Sequence, residues 1–262
     1  MAKHAAQPEE TPQKPSLGTR LVNFGAAVVA VVTLAVTLVA AGFAVDAALP
    51  QTTELLAESY SGTTNDATPF SHDELVYAAV VTRDYTVGSN DLEALYEMLH
   101  AINDEANTIY AGVDDETLAA GDELYTLDAE AISHLDDVYQ VVKIAQAVLI
   151  VVATLAVAAC AHVGVRRGRR ALGRVFWLAG LFVLVAFIAL GAWIVLDFNG
   201  FFAVFHSLFF TEGTWTFSSE SLLITMYPTA FWMGMGAIWV VVTCLLSIIS
   251  LLLGAKLRRR RA

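Results

Sequence analysis

IAQAVLIVVATLAVAACAHVGVRRGRR, residues 144–170, is the stretch that decides the fold. Its first part, Ile144–Val165, contains no Asp, Glu, Lys or Arg, and then Arg166, Arg167, Arg169 and Arg170 arrive together. At ~1.5 Å per residue, an uncharged run of this length crosses a hydrocarbon core of roughly 30 Å as a helix. Three more such runs flank it: Leu21–Val45, Val175–Leu196 and Ala230–Leu253, none with a charged residue. They account for a chain of 262 residues that is 56% hydrophobic with a mean hydropathy of +0.59, values typical of membrane proteins and high for a soluble domain. The expected fold class is an all-α membrane protein with four transmembrane helices and a mostly helical extracytoplasmic domain between the first and second spans.

The charges set the orientation. Arg166 to Arg174 lie between the second and third runs, and Lys256 and Arg258 to Arg261 follow the fourth. Lys3, Lys14 and Arg20 precede the first. Asp46 to Asp137, by contrast, holds 21 acidic residues and one basic residue, Arg83. Because cytoplasmic segments collect Lys and Arg, both termini are expected inside. The reading is a disordered cytoplasmic tail over 1–19 and spans over 20–45, 140–165, 175–197 and 229–254. The acidic extracytoplasmic domain covers 46–139, the basic cytoplasmic loop 166–174, the aromatic extracytoplasmic loop 198–228 and the basic cytoplasmic tail 255–262. The net charge of −11 is thus the sum of two opposite fields. The basic ends suit anionic lipid headgroups, and the acidic domain excludes nucleic acid as a partner. Leu21–Val45 is longer than the roughly 7–15 apolar residues of a signal peptide, so it reads as a retained anchor. Cys160 and Cys244 both lie in spans and read as packing residues.

Within the acidic domain, Ser71-His72-Asp73-Glu74 is a capping box that opens a helix of about three turns to Arg83. Gly88-Ser89-Asn90 reads as a turn, with Asn90 capping a helix from Asp91 to about Tyr110. Leu92, Leu95, Leu99 and Ile102 form its apolar stripe. Gly112 and Gly121 break the next segment, and Leu127–Val163 reads as one continuous helix. The loop after the third span, from Asn199 through Phe201, Phe202, Phe205, Phe209 and Phe210 to Trp215 and Phe217, is aromatic enough to lie along the outer leaflet.

Two histidines stand apart from the other four. His134 lies about two turns before the second apolar run, and His206 sits in the aromatic loop that returns at the same membrane level. An imidazole among phenylalanines needs a polar partner, and it changes charge near neutral pH, which suits proton transfer. Three readings remain open on the residues alone. The two imidazoles can share a site, they can be unrelated interfacial groups each bonded to a carboxylate, or Glu130, His134, Asp136, Asp137 and His206 can gather a metal. The metal signal is weak, because there is no H-x-x-x-H pair and no Cys ligand. Ser133 and Ser207 lack the elbow motif of a nucleophile. His72 and His100 read as solvated or locally paired, and Arg83 as bridging a carboxylate such as Asp84.

The segments Phe205-His206-Ser207-Leu208-Phe209-Phe210, Trp215-Thr216-Phe217, Ser221-Leu222-Leu223-Ile224 and Tyr227-Pro228 resemble the second outer loop of the lipoprotein intramolecular transacylases, four-span bacterial membrane proteins. Leu124-Tyr125-Thr126 with His134-Leu135-Asp136-Asp137-Val138 is similar to the family's motif before the second span. The capped helix at Ser71-His72-Asp73-Glu74-Leu75 leading to Asp84-Tyr85 also fits. The resemblance covers about residues 20–255 and departs at Ser218-Ser219-Glu220-Ser221, where an Asp-Pro and a further Asp are expected. It implies a bacterial plasma-membrane acyltransferase that needs no cofactor or metal. That enzyme takes a diacylglyceryl lipoprotein and moves the sn-2 acyl chain to the α-amino group of its N-terminal Cys, giving the lyso form. It further implies His134 and His206 as catalytic residues, with Phe205, Phe209, Trp215, Arg83, Tyr85 and Asp137 as substrate contacts. On the residues alone, a metal-dependent membrane hydrolase and a non-enzymatic interaction protein are the competing readings.

Overall fold

The computed structural model describes residues 16–259, and among them every regular element is helical. Helix α1 runs Leu17–Ala48, with the Ser16 side chain accepting from the Thr19 amide at its start. It therefore begins three residues before the expected span, because the capping serine satisfies its first free amides. The rest of the expected N-terminal tail lies outside the described residues. Helices α2 (Pro50–Tyr60), α3 (His72–Asp84), α4 (Leu92–Glu105) and α5 (Asp115–Ala119) build the acidic domain. Then come α6 (Ala129–Leu196), α7 (Phe198–Ser207), α8 (Leu222–Met226) and α9 (Thr229–Arg258).

Helix α6 is interrupted at one residue. Gly168 has φ 76° and ψ 171°, a backbone region that glycine alone enters cheaply. The chain reverses there. Val163 and Val175 share one buried cluster with Cys160, Ala171 and Leu172, a set that a straight helix would string out along its axis. The expected nine-residue basic loop over 166–174 is thus one turning residue between two helical limbs. By length and composition, three helices are apolar enough to cross a membrane: Leu17–Val45, Ala129–Leu196 and Thr229–Arg258.

The second limb of α6 and helix α9 approach until their backbones touch. A Cβ on Gly180 would lie 2.6 Å from the Ser247 carbonyl oxygen, and one on Gly254 would lie 2.7 Å from that of Gly173. Small residues permit this approach where no hydrophobic force separates helix from lipid. The Ser250 hydroxyl donates to Phe176 O at 2.8 Å, and the Trp239 indole to Val39 O at 3.2 Å. The bundle ends differ in charge. At one end Arg167 donates to Asn23 O and Arg169 to Lys256 O. At the other, Arg83 donates to Ala47 O at the close of α1.

The acidic domain has a core of its own. Leu75, Leu95, Met98, Leu99, Ile102 and Leu118 are at most 1% exposed. The Ser71–Glu74 capping box forms on both sides. Asn90, expected as a helix cap, instead takes a left-handed conformation (φ 54°) that closes a π-turn over Tyr85–Ser89, and Asp91 caps α4. An aspartate one residue later offers the better acceptor, and asparagine tolerates the left-handed position. Helix α4 stops at Glu105 rather than Tyr110. Its stripe uses Met98 in place of Leu92, which is 44% exposed.

The aromatic loop divides. Its first part is helix α7, which has no buried residue. In its last part, Leu222, Leu223, Met226 and Tyr227 complete the core of the acidic domain. Leu222 N donates to Glu123 O at 2.7 Å and Gly62 N to Thr225 O at 2.9 Å, while the Tyr227 hydroxyl bonds Ala79 O.

Candidate active site

His134 is delivered by the first turns of α6. Asp128 caps them, its carboxylate accepting from Ala131 N at 2.8 Å. Ala131 and Leu135, each 4% exposed, seat that end of the helix in the acidic domain's core. His134 lies between them on the helical surface and is half-buried. His206 is delivered by α7, which Asp197 caps through Gly200 N at 2.9 Å.

The two imidazoles face each other, with ring centroids 6.4 Å apart and planes inclined by 26°. Aromatic rings enclose them. Phe210 is 5.0 Å and Phe217 5.5 Å from His134. Phe202 is 3.9 Å, Trp215 4.8 Å and Phe205 5.7 Å from His206. His206 Nδ1 pairs with Phe202 O, one helical turn back, at 2.8 Å. That bond makes Nδ1 the protonated nitrogen and leaves the Nε2 lone pair free. His134 Nδ1 is buried with no hydrogen-bond partner, and so is Trp215 Nε1.

Burial governs the protonation states. Desolvation, then the neighbouring His206, hold the His134 pKa down to about 4, while Asp137 pulls it the other way. Desolvation also lowers His206, opposed by the Phe202 carbonyl that would stabilise the imidazolium. Both rings are therefore neutral at pH 7. Each can accept a proton or donate an N–H, and the pair carries no charge into the aromatic enclosure.

The other expected contact residues divide into two groups. Phe205 and Trp215 touch His206, and Phe209, half-exposed, stacks on Phe205 at 5.2 Å. Arg83 and Tyr85 are occupied elsewhere. Arg83 pairs with Asp84 and donates to Ala47 O at 2.6 Å. The Tyr85 hydroxyl donates to Asp136 at 2.5 Å, with Asn90 on the same carboxylate oxygen at 3.1 Å. Burial, and after it that carboxylate, raise the Tyr85 pKa well above the usual phenol range. Tyr85 thus holds α6 two residues beyond His134. Asp137 is exposed and acts on His134 through charge. His100 pairs locally, with Asp115 at 2.7 Å, and Ser207 donates to Val204 O. No three His, Cys, Asp or Glu side chains converge among the described residues, so Glu130, His134 and His206 gather no ligand set. Phe202, Phe210 and Phe217 escaped the expected site. For Phe202 a signal was available, since positions 202 and 206 are one helical turn apart.

A family model described as "Lipoprotein intramolecular transacylase Lit" matches residues 29–232. The solved structure of the membrane integral lipoprotein intramolecular transacylase Lit from Bacillus cereus superposes with a TM-score of 0.66 at 16% identity, over 91% of this chain and 96% of that one. Two structures of histidine variants of the same protein, one to arginine and one to alanine, give 0.58 and 0.60, also at 16% identity. They cover 92% of this chain and 93% and 95% of theirs. At that identity the superpositions establish a shared fold. No curated protein matches the chain by sequence.

Proposed function

This chain belongs to the lipoprotein intramolecular transacylase family, and from that premise we propose that His134 and His206 carry the proton transfers of its O-to-N acyl shift. The chain is a membrane acyltransferase of lipoprotein modification: the sn-2 acyl chain of a diacylglyceryl lipoprotein passes to the α-amino group of its N-terminal Cys, leaving the lyso form. The observation that carries the proposal is the pair of imidazoles 6.4 Å apart inside one aromatic enclosure.

The chemistry follows from what each ring offers. The α-ammonium group has a pKa near ~8, and an apolar enclosure lowers it further, so the amine enters neutral. Its nitrogen attacks the sn-2 ester carbonyl, forming the C–N bond. His206 takes the proton the nitrogen must shed, at the free Nε2, while Phe202 O steadies the imidazolium through Nδ1–H. The ester C–O bond then breaks, and the same proton passes to the departing glyceryl oxygen, which His134 meets with an N–H. No acyl-enzyme is needed, because donor and acceptor belong to one molecule. Holding them in contact recovers part of the barrier as orientation. Arg83 and Tyr85, both engaged in structural bonds, fit a supporting role better than substrate contact.

The topology completes the reading. Reversal at Gly168 lets α6 supply two spans, giving four in all, with the Arg-rich end of the bundle in the cytoplasm and the acidic domain outside. The site then lies at the outer leaflet of a bacterial plasma membrane, where lipoprotein headgroups are. Mass spectrometry of lipoprotein N-termini from cells carrying the wild type, His134→Ala or His206→Ala tests the chemistry. The lyso form should appear only with the wild type at equal protein level, and lyso product from either variant overturns the assignment. Reporter fusions after residue 262 and at Gly112 test the sidedness.

A further inference from the structure

Acyl transfer has a third requirement that the two histidines leave unmet. When nitrogen adds to the ester carbonyl, the carbonyl oxygen becomes an oxyanion, and most of the barrier is lowered by N–H or O–H donors aimed at it. The histidines are committed to the amine proton and the leaving oxygen. A donor without an assignment stands beside them. The indole Nε1–H of Trp215 is fully buried and has no hydrogen-bond partner, and a buried donor left unsatisfied costs about 1–3 kcal/mol. Buried indoles nearly always find an acceptor.

Its place singles it out further. The Trp215 ring lies 4.8 Å from His206 and 6.2 Å from Phe202, so indole and imidazole adjoin on one wall of the enclosure. Trp215 also lines an open cleft of about 460 Å³ with Ala203, Val204, Phe210, Glu212 and Ser207, whose hydroxyl is already given to Val204 O. Trp215 and Phe210 are the residues common to the cleft and the histidine surroundings. The indole thus joins the cleft wall to the ring of His206. Of the polar atoms left without a partner, Trp215 Nε1 and His134 Nδ1 are the two beside His206. One is a pure donor, which fits an anion, and the other can serve as donor or acceptor.

We infer that Trp215 is a catalytic residue whose indole N–H donates to the tetrahedral oxyanion. This rests on the histidine reading above. The attractive feature of an indole here is that it carries no charge and no basic lone pair. It can sit in an apolar enclosure, it offers no basic lone pair to compete for the amine's proton or to be acylated by the ester, and its N–H bond to the oxygen strengthens as negative charge develops there.

The test replaces one atom. Benzothienylalanine introduced at position 215 keeps the fused ring and puts sulfur where the N–H was. Purified wild type, this variant, Trp215→Phe, His134→Ala and His206→Ala are assayed on a synthetic diacylglyceryl lipopeptide. The sulfur analogue should lower kcat by about 10²-fold, the size of one lost oxyanion donor, with KM unchanged and thermal unfolding at the wild-type temperature. Trp215→Phe, which also loses shape, should lower kcat at least as far and raise KM. A sulfur analogue within about threefold of wild-type kcat assigns Trp215 to packing and overturns the inference while the histidine reading stands. Activity retained by either alanine variant overturns the histidine reading, and this inference with it.

Discussion

The acidic domain and the aromatic helix α7 are neighbours built on opposite plans. The domain packs Leu75, Leu95, Met98, Leu99 and Leu118 at most 1% exposed, closes its α3 start with a full capping box, and satisfies Asn103 twice, from Leu99 O and Tyr125 O. Helix α7 buries no residue. Yet α7 carries His206, and the partnerless donor of Trp215 follows it. The difference separates stability from reactivity. In the domain, few buried side-chain polar atoms, such as Arg83 Nε and Thr126 Oγ1, lack a partner, so that region has little left to offer a substrate. A region held by ring contacts alone can keep N–H groups and lone pairs in reserve, at a cost in stability that the neighbouring core offsets. Most of the chain's acidic residues therefore belong to a scaffold, and the proposed chemistry falls where that scaffold presents His134 to a short uncharged helix leaning on it.

Substitutions can break this contrast. The largest effect is expected at His206. His206→Ala should cut turnover of a diacylglyceryl lipopeptide by about 10³-fold or more while leaving thermal unfolding near the wild type, since α7 contributes no buried side chain. Leu99→Ala should do the reverse. A fully buried leucine replaced in a packed core costs about 2–5 kcal/mol, read as a lower unfolding temperature, with turnover per folded molecule preserved. If Leu99→Ala abolished turnover in protein that is still folded, the division between scaffold and site would fail. Tyr85→Phe lies on the boundary. Losing its bond to the Asp136 carboxylate should cost about 1–3 kcal/mol and reduce kcat several-fold, because the turn that carries His134 is held less firmly.

The smallest effect concerns protonation. The folded His134 has a pKa of about 4 against 6.5 for a free imidazole, so the unfolded chain binds the proton more readily. Stability is then complete above pH 6.5 and declines as pH falls from 6.5 toward 4. Histidine NMR should show His134 resonances unchanged between pH 7 and pH 5.5. His134→Gln should flatten the acid side of the stability profile. A His134 resonance titrating at 6.5 would place the ring in water instead of the aromatic enclosure.

The sequence announced those features whose cause is local. The four apolar runs, the Arg clusters and the Ser71–Glu74 capping box are each read from neighbours a few residues apart, and each is present. The pairing of His134 with His206 came from the levels at which two segments reach the membrane, and their rings are 6.4 Å apart. What stayed hidden was tertiary. An apolar segment such as Leu222-Leu223-Ile224 looks the same whether it faces lipid or a protein core, so its docking in the acidic domain could not be seen. Gly168 was one glycine among 17, and only a fold that returns upon itself makes its positive φ necessary. The local pair of Arg83 with Asp84 was legible and is present, but the second partner of Arg83, Ala47 O, and the Asp136 partner of Tyr85 lie 36 and 51 residues away and were not.

The docking of α8 carries a consequence for the order in which the molecule is made. The core around Leu75 and Leu99 is closed by Leu222, Met226 and Tyr227, and Ser61 and Asn65 bond Met226 O and Thr225 Oγ1 across 165 and 160 residues. A ribosome that has delivered residues 50–128 has made a domain with its lid missing. That lid arrives only after the hairpin of α6 and the whole of α7 have been synthesised. A nascent or truncated chain ending before residue 222 therefore leaves apolar surface uncovered for proteases to find. Folding is coupled to completeness: the core that seats His134 closes only in a chain that already holds His206.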